Sequence, residues 1–415
     1  MPSRSILLVA QLTPPSGLIA ARRAGAFAKY LGRLGHRVTV LTSRTSGEGA
    51  IEGAADVVRT GDVLATRLNW RRSHFEALTG GGPSGYSPPS RLESVVVPDL
   101  AVGTWLPFAL PRALSLARKG DFDIVLTTSP PQSAHLVGLA LARRGLPWIA
   151  ELRDGWTFEP PRAPWPTRAQ RRLDAALERR VARRATAMIG VTEPIVEDLI
   201  ERLGGRAVLI TNGFDPEEVP AADGVVASLL DPGRHSFVHT GRMEAARSTP
   251  APLLEALRRL RRESPELADG LEVVFAGALS SQERELLAAD DLAALVKVVG
   301  WLERPVALAL QHAADSLLVV TEGPSRRSVA TGKVFEYLAA RRPILVLGEG
   351  TEAARIVVDA GAGLATSASE PAAIAETLRR FVVDTPRVDG RAEVLERYSY
   401  PRLAERLSAL IEEVL

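Results

Sequence analysis

Short apolar runs alternate with amphipathic segments of helical period along nearly all of this 415-residue chain, and few folds accept that pattern. Residues 6–10, 37–42, 124–128, 148–151, 188–191 and 208–211 read as buried parallel strands, because each run is apolar on both faces rather than alternating. Residues 22–34, 136–143, 170–184 and 193–202 space their apolar positions three and four apart, as one helix face requires. Strand, helix and strand in repetition predict a doubly wound α/β sheet. The pattern pauses at TNGFDPEEVPAADG, residues 211–224, which is rich in turn formers and acids. It resumes with strands expected at 236–240, 271–276, 295–299, 316–321, 344–347 and 364–365, and a helix at 253–262. A chain this long exceeds one ordinary core. We therefore expect two Rossmann-like domains, 1–215 and 216–395, with a terminal helix in 396–415 packing back on the first.

Composition excludes several classes. A formal net charge of +2 on 415 residues gives no argument for a nucleic-acid partner. The absence of cysteine removes disulfides, thiolate metal sites and thiol nucleophiles. The start MPSRSILLVAQLTPP has a short apolar run and no small-residue cleavage site, so it reads as a first strand rather than a signal peptide. No run approaches the roughly 18 apolar residues that span a bilayer. A cytoplasmic protein is expected. Basic residues number 51, yet only Lys29, Lys119, Lys297 and Lys333 are lysines. A lysine kept in so arginine-rich a chain suggests that a compact ammonium is wanted at its position.

One segment departs from the pattern. Residues 66–92, TRLNWRRSHFEALTGGGPSGYSPPSRL, have a Gly/Pro/Ser centre that no regular element tolerates. This is either a plain surface loop or a loop that meets an acceptor or a membrane surface, since Trp70, Arg71, Arg72, His74 and Phe75 combine charge with aromatic area.

Open α/β sheets bind ligands beyond the carboxyl ends of their strands, so those ends are the places to look. After the first strand, QLTPPSGLIAARR places Gly17 just before a helix, where its loop offers N–H groups to a phosphate. After the fourth comes ELRDGW, whose three ionisable side chains, Glu151, Arg153 and Asp154, are costly there unless they face a cleft; alternatively Arg153 and Asp154 merely pair to fix the loop. HTGRMEAARSTP sets Arg242 and Arg247 around a strand-to-helix turn, as a diphosphate site or as two solvated arginines. TGKVFEYLAARRPILVLG repeats the arrangement with Gly332, Lys333 and a helix start. Glu336, set among apolar neighbours, is read as a first-turn carboxylate that the helix dipole keeps ionised. It either accepts sugar hydroxyls or simply faces water. Neither GxGxxG nor a P-loop occurs, and no metal or organic cofactor is called for.

Taken together, TSPPQSAHLVG, PWIAELRDGW, VTEPIVEDL, ITNGFD, HTGRMEAAR, VGWLER and KVFEYLAARRPIL resemble, in order and over essentially the whole chain, the retaining nucleotide-sugar glycosyltransferases of family 4. The resemblance implies the GT-B architecture, two Rossmann-like domains facing a central cleft. It implies that Arg242 and Arg247 hold the donor diphosphate, Arg247 standing where the family has a lysine. The backbone of Gly332, Lys333 and Val334 would approach the phosphates, and Glu336 would accept hydrogen bonds from the ribose. Trp301 and Leu302 would lie near the nucleobase. Ser328 occupies the position of a family glutamate placed near the transferred sugar. Arg153, where many relatives have histidine, precedes the retained Asp154 and matches a subgroup with RDxW.

The implied activity is sugar transfer from a nucleotide diphosphate donor to an acceptor hydroxyl with retained configuration, in polysaccharide, cell-envelope glycan or glycoconjugate synthesis. Arg242, Arg247, Lys333 and the Gly17 loop would stabilise the leaving diphosphate without a metal, and Arg153 with Asp154 would guide the acceptor. That acceptor is expected to be anionic or lipid-linked, met at the inner face of a membrane. Two other readings stand beside this one: a nucleotide-sugar epimerase on the same architecture, and a non-catalytic nucleotide-sugar-binding subunit marked by Ser328.

Overall fold

The computed structural model describes residues 2–16, 19–63, 95–160, 164–241, 249–279, 281–288, 290–321, 328–388 and 392–415. These fall into two compact units. One is built on the chain up to Gly213 together with Tyr400–Leu415, the other on Phe214–Ser399.

The first unit holds seven parallel strands, β1 (Ser5–Val9), β2 (Arg37–Ser43), β3 (Ala54–Thr60), β4 (Ile124–Ser129), β5 (Trp148–Leu152), β6 (Ala187–Gly190) and β7 (Ala207–Leu209), in the order β3-β2-β1-β4-β5-β6-β7. The helices used below are α1 (Ile19–Arg33), α2 (Leu106–Lys119), α3 (Ala134–Ala142), α4 (Arg168–Arg184) and α5 (Glu193–Glu201). The second unit has six parallel strands, β8 (His235–Thr240), β9 (Leu271–Ala276), β10 (Val296–Gly300), β11 (Ser316–Val320), β12 (Ile344–Leu347) and β13 (Gly363–Thr366), in the order β10-β9-β8-β11-β12-β13. Its helices include α6 (Ala251–Glu263), α7 (Arg304–Ala313), α8 (Gly332–Ala340) and α9 (Pro371–Val383). Each sheet has a buried apolar cluster on either face, which is why its inner strands read as apolar runs.

Several elements have no counterpart in the sequence reading, among them β3 and α2 in the first unit and α7 and α9 in the second. β3, AADVVRT, is a partly exposed edge strand, so its apolar residues do not form a run. α2, LPFALPRALSLARK, carries Pro111 within it, and helical spacing does not outweigh such a breaker when only the sequence is read.

The last helix, α10 (Tyr400–Val414), lies on α1. Its apolar stripe of Leu403, Leu407, Leu410 and Ile411 is buried, and Tyr400 meets Phe27 edge-on with ring centroids 6.0 Å apart. Polar contacts fix its register. Ser408 Oγ is 2.7 Å from His36 Nε2, and Arg4 donates to both Glu412 oxygens at 2.7 and 2.6 Å.

In each sheet the strand order reverses at one point, between β1 and β4 and between β8 and β11. Crevices at such reversals open at the carboxyl ends of the strands, where this fold holds its ligands.

Candidate active site

The reversal in the second sheet is spanned by one side chain. His239 lies fully buried in β8, and its Nδ1 is 3.0 Å from the carbonyl oxygen of Leu318 in β11. On its other side, Nε2 is 3.0 Å from the Lys333 ammonium. Lys333 is the second residue of α8, and its tip also lies over Gly241, where a Cβ would sit 3.7 Å from Lys333 Nζ. Gly241 has a φ of +94°, and a Cβ on Gly277 would fall 2.2 Å from the Gly241 carbonyl. Larger residues are excluded there, and the ends of β8 and β9 meet backbone to backbone. Thr331 stands at the N-cap of α8 without a side-chain cap, so the amino end of the helix faces this spot with N–H groups to offer.

Glu336 is in the second turn of α8, not the first, because the helix begins at Gly332. The expected hold of the helix dipole on its charge is therefore replaced by a cation. Arg304, at the start of α7, donates to Glu336 Oε1 at 2.8 Å and also clasps Glu218. Burial works against the Arg304 charge, but the Glu218 hydrogen bonds and the charge on Glu336 outweigh it and hold the guanidinium above its ordinary range. Gln311 reaches Glu336 Oε2 at 3.4 Å and Thr240 Oγ1 at 2.8 Å. Tyr337, next along the helix, is buried and accepts from the Thr240 N–H at 2.7 Å, tying α8 to the end of β8.

Val334 is buried in the core, so only its backbone can face a ligand. Ser328 is buried shortly before α8. Trp301 follows β10 with half its surface exposed, at 52%, while Leu302 packs on the core below. Gly17, Arg242 and Arg247 lie outside the described residues, as does the segment 66–92.

In the first unit, Arg153 follows β5 and is held by the turn after β4. Its Nε donates to Ser129 O and its Nη2 to Pro130 O, each at 2.9 Å. Burial lowers its pKa, and Glu151 and Asp154 oppose that shift. Asp99, which the sequence reading did not single out, accepts from Ser133 N at 2.8 Å on the same turn and from Ala101 N at 3.0 Å in its own segment. Burial raises its pKa even so. The first carboxylate of ELRDGW does not face a cleft. Glu151 is buried and ion-paired to Arg23, which donates to Glu151 Oε1 at 2.9 and 2.8 Å and to the carbonyls of Ile210 and Thr211.

His135 on α3 is also fully buried, its Nδ1 2.8 Å from Thr127 Oγ1 and its ring stacked on Trp156. Burial pushes its pKa down to about 3. The unfolded chain then binds a proton below pH about 6.5 that the folded chain refuses. Stability should fall by about 1.4 kcal/mol per pH unit from pH 6.5 toward 3 through this one residue. Urea unfolding at pH 7, 6 and 5, followed by tryptophan fluorescence, should give His135→Leu a slope shallower by that amount. Equal slopes would remove the assignment.

Residues 20–213 match the family described as Glycosyl transferase 4-like domain, and residues 234–384 match Glycosyl transferases group 1. Between them they cover most of both units, and the chain belongs to the two-domain glycosyltransferases of the GT-B class. Among solved structures, the chain is similar to sucrose-phosphate synthase from Thermosynechococcus elongatus, at 16% identity and a TM-score of 0.69, covering 99% of each chain. It is similar to Anabaena HepE in complex with UDP-glucose, at 16% identity and a TM-score of 0.64, covering 99% of this chain and 100% of that one. The α,α-trehalose-phosphate synthase (UDP-forming) of Burkholderia vietnamiensis matches at 14% identity and a TM-score of 0.64, with 99% and 100% covered. Among curated proteins no sequence matches the chain.

Proposed function

We propose that this glycosyltransferase takes its sugar from a nucleoside diphosphate donor bound to the second unit and passes it, with retained configuration, to an acceptor hydroxyl. The observation that carries this reading is the Lys333 ammonium, pinned over the strand reversal of the second sheet beside the open amino end of α8. A fixed ammonium and a helix amino terminus at one spot both favour an anion there. Arg242 and Arg247 follow Gly241 in sequence and would add their charge to the same diphosphate. Glu336, steadied by Arg304, would accept the ribose hydroxyls, and exposed Trp301 would cover the nucleobase with Leu302 beside it. The backbone of Gly332 and Val334 and the Gly17 loop would complete the phosphate contacts. Ser328 would lie by the transferred sugar.

In the reaction, the bond from the anomeric carbon to the diphosphate oxygen breaks and a bond to the acceptor oxygen forms on the same face. The acceptor proton passes to the departing diphosphate. Lys333 and the arginines stabilise the charge that develops on that leaving group, in place of a metal. Arg153 and Asp154 would orient the acceptor. The test is a thermal-shift panel of nucleoside diphosphate sugars, UDP-glucose first because similar structures hold it, followed by turnover with and without EDTA. Stabilisation and EDTA-insensitive transfer are expected. Binding without transfer to any acceptor would favour the non-catalytic reading that Ser328 allows, and no binding would end the donor reading.

For the acceptor, α4 supplies an observation independent of the 66–92 loop. Arg168, Arg171, Arg172, Arg179, Arg180, Arg183 and Arg184 are all exposed. The two acids of this helix turn inward, Asp174 to the indole N–H groups of Trp156 and Trp165 and Glu178 to Arg202. Among the described residues none of these arginines pairs with a carboxylate. This favours an anionic or lipid-linked acceptor, met at the cytoplasmic face of a membrane. No described helix is long and apolar enough to cross one. Each arginine near an anionic surface contributes about 1 kcal/mol, so Arg172→Glu, Arg179→Glu and Arg183→Glu together should weaken binding to phosphatidylglycerol vesicles at least about a hundredfold. Equal sedimentation of variant and parent with those vesicles would remove this placement.

A further inference from the structure

We infer that His239, which touches no substrate in this reading, is the positioning residue for the diphosphate-binding cation. Its Nδ1–H, anchored on the Leu318 carbonyl, leaves the Nε2 lone pair to hold the Lys333 ammonium over the crevice between β8 and β11. The inference rests on the donor reading above and deepens it.

The tautomer follows from the partners. A carbonyl oxygen only accepts, so the proton lies on Nδ1, 3.0 Å from Leu318 O. Nε2, 3.0 Å from Lys333 Nζ, is then either bare and accepting or protonated and facing a neutral amine. Ordinary pKa values of about 6.5 for histidine and 10.4 for lysine decide for the first, since the proton resides on the stronger base by nearly four orders of magnitude. The imidazole is thus a neutral acceptor aimed at an ammonium. It supplies direction without cancelling the positive charge, which a carboxylate in its place would do.

The placement is specific. His239 is one residue from the end of a strand whose register with β11 pairs Phe237 with Ser316 and Val238 with Leu317. Leu318 is thereby brought opposite, and both strands flanking the reversal contribute to one chain of contacts: Leu318 carbonyl, imidazole, ammonium. Phe275 packs on the ring from β9, at 5.8 Å between centroids, so the ring cannot swing away. A lysine is otherwise a four-carbon stem with wide rotamer freedom. Here its head is delivered to one point beside Gly241, at the amino end of α8.

The experiment compares affinity for a nucleoside diphosphate with affinity for its nucleoside, by calorimetry, using the uridine, guanosine and adenosine pairs. In the parent, the diphosphate that binds best defines the pair. His239→Leu should weaken that diphosphate about tenfold and leave the nucleoside within twofold. His239→Gln, whose amide oxygen reaches the place of Nε2, should recover to within about threefold. In a Lys333→Met background, His239→Leu should add less than twofold. If His239→Leu does not fold, His239→Asn, too short to reach Lys333, should show the same selective loss.

Equal losses for diphosphate and nucleoside, no loss at all, or a full tenfold loss with Lys333 already removed would each overturn the assignment. A parent that binds none of the three diphosphates would remove the donor reading, and this inference with it. Normal parent binding with an indifferent variant would remove the inference alone.

Discussion

Lys333→Met should lower kcat by about 10²–10³-fold and leave the protein folded. The ammonium is held beside Gly241 at the start of α8, where it and the helix dipole both favour a bound anion. In the proposed reaction, charge that develops on the leaving diphosphate would be stabilised there by a group already oriented, so its loss should fall on the transition state more than on the ground state. The helix dipole, by contrast, gives the folded protein no stability through that ammonium. Unfolding free energy should therefore stay within about 1 kcal/mol of the parent. Lys333→Arg should recover only part of the rate, since a planar fork does not reproduce a compact ammonium held by one imidazole nitrogen. Steady-state kinetics with a saturating donor, and urea unfolding of the same samples, check both halves. A variant with parental kcat removes Lys333 from the mechanism. One that loses activity only by unfolding does so too.

Glu151→Gln should destabilise the first unit by about 3–5 kcal/mol, the cost of leaving one partner of a buried ion pair uncompensated. Arg23 and Glu151 are each 1% exposed, and the guanidinium also holds the carbonyls of Ile210 and Thr211, so the pair joins α1, β5 and the segment after β7. Burial alone would raise the Glu151 pKa, but the charge and hydrogen bonds of Arg23 outweigh it and hold the carboxylate below its usual range. The stability it contributes is present above the unfolded carboxylate pKa and lost as pH falls through the lower folded value. Urea unfolding at neutral pH measures the loss. A change under about 1 kcal/mol would mean that the substituted amide hydrogen-bonds Arg23 as well as the carboxylate does.

The parallel strands were legible because strands buried on both faces cannot hide their apolar runs. The edge strand β3 was not, since partial exposure lets AADVVRT carry two charges and two alanines. At the site, Lys333 showed itself through rarity and Glu336 through its apolar neighbours. What the sequence could not show was how they are held. His239 reads as one more residue of a short strand, and only the register of β8 on β11 brings Leu318 to its ring. Arg304 lies 32 residues before Glu336 in an arginine-rich chain, so nothing local marks it as that carboxylate's partner. Glu151 misled for the same reason. Its partner, Arg23, is 128 residues away, and a carboxylate at a strand end looks functional until its counter-ion is found.

The chain leaves the first unit after Gly213 and re-enters it at Tyr400, and the two crossings are neighbours. Phe214 bridges to Ser399, and the Phe214 N–H donates to the Tyr398 carbonyl at 3.1 Å. In effect the second unit is a cassette whose two ends are stitched together. Such a cassette can be cut out at 214 and 399 with both termini close, and the gap left behind needs only a short graft to restore one continuous polypeptide. If the second unit is the donor-binding one, as proposed above, a sugar specificity becomes exchangeable by genetics without redesigning the scaffold that receives it.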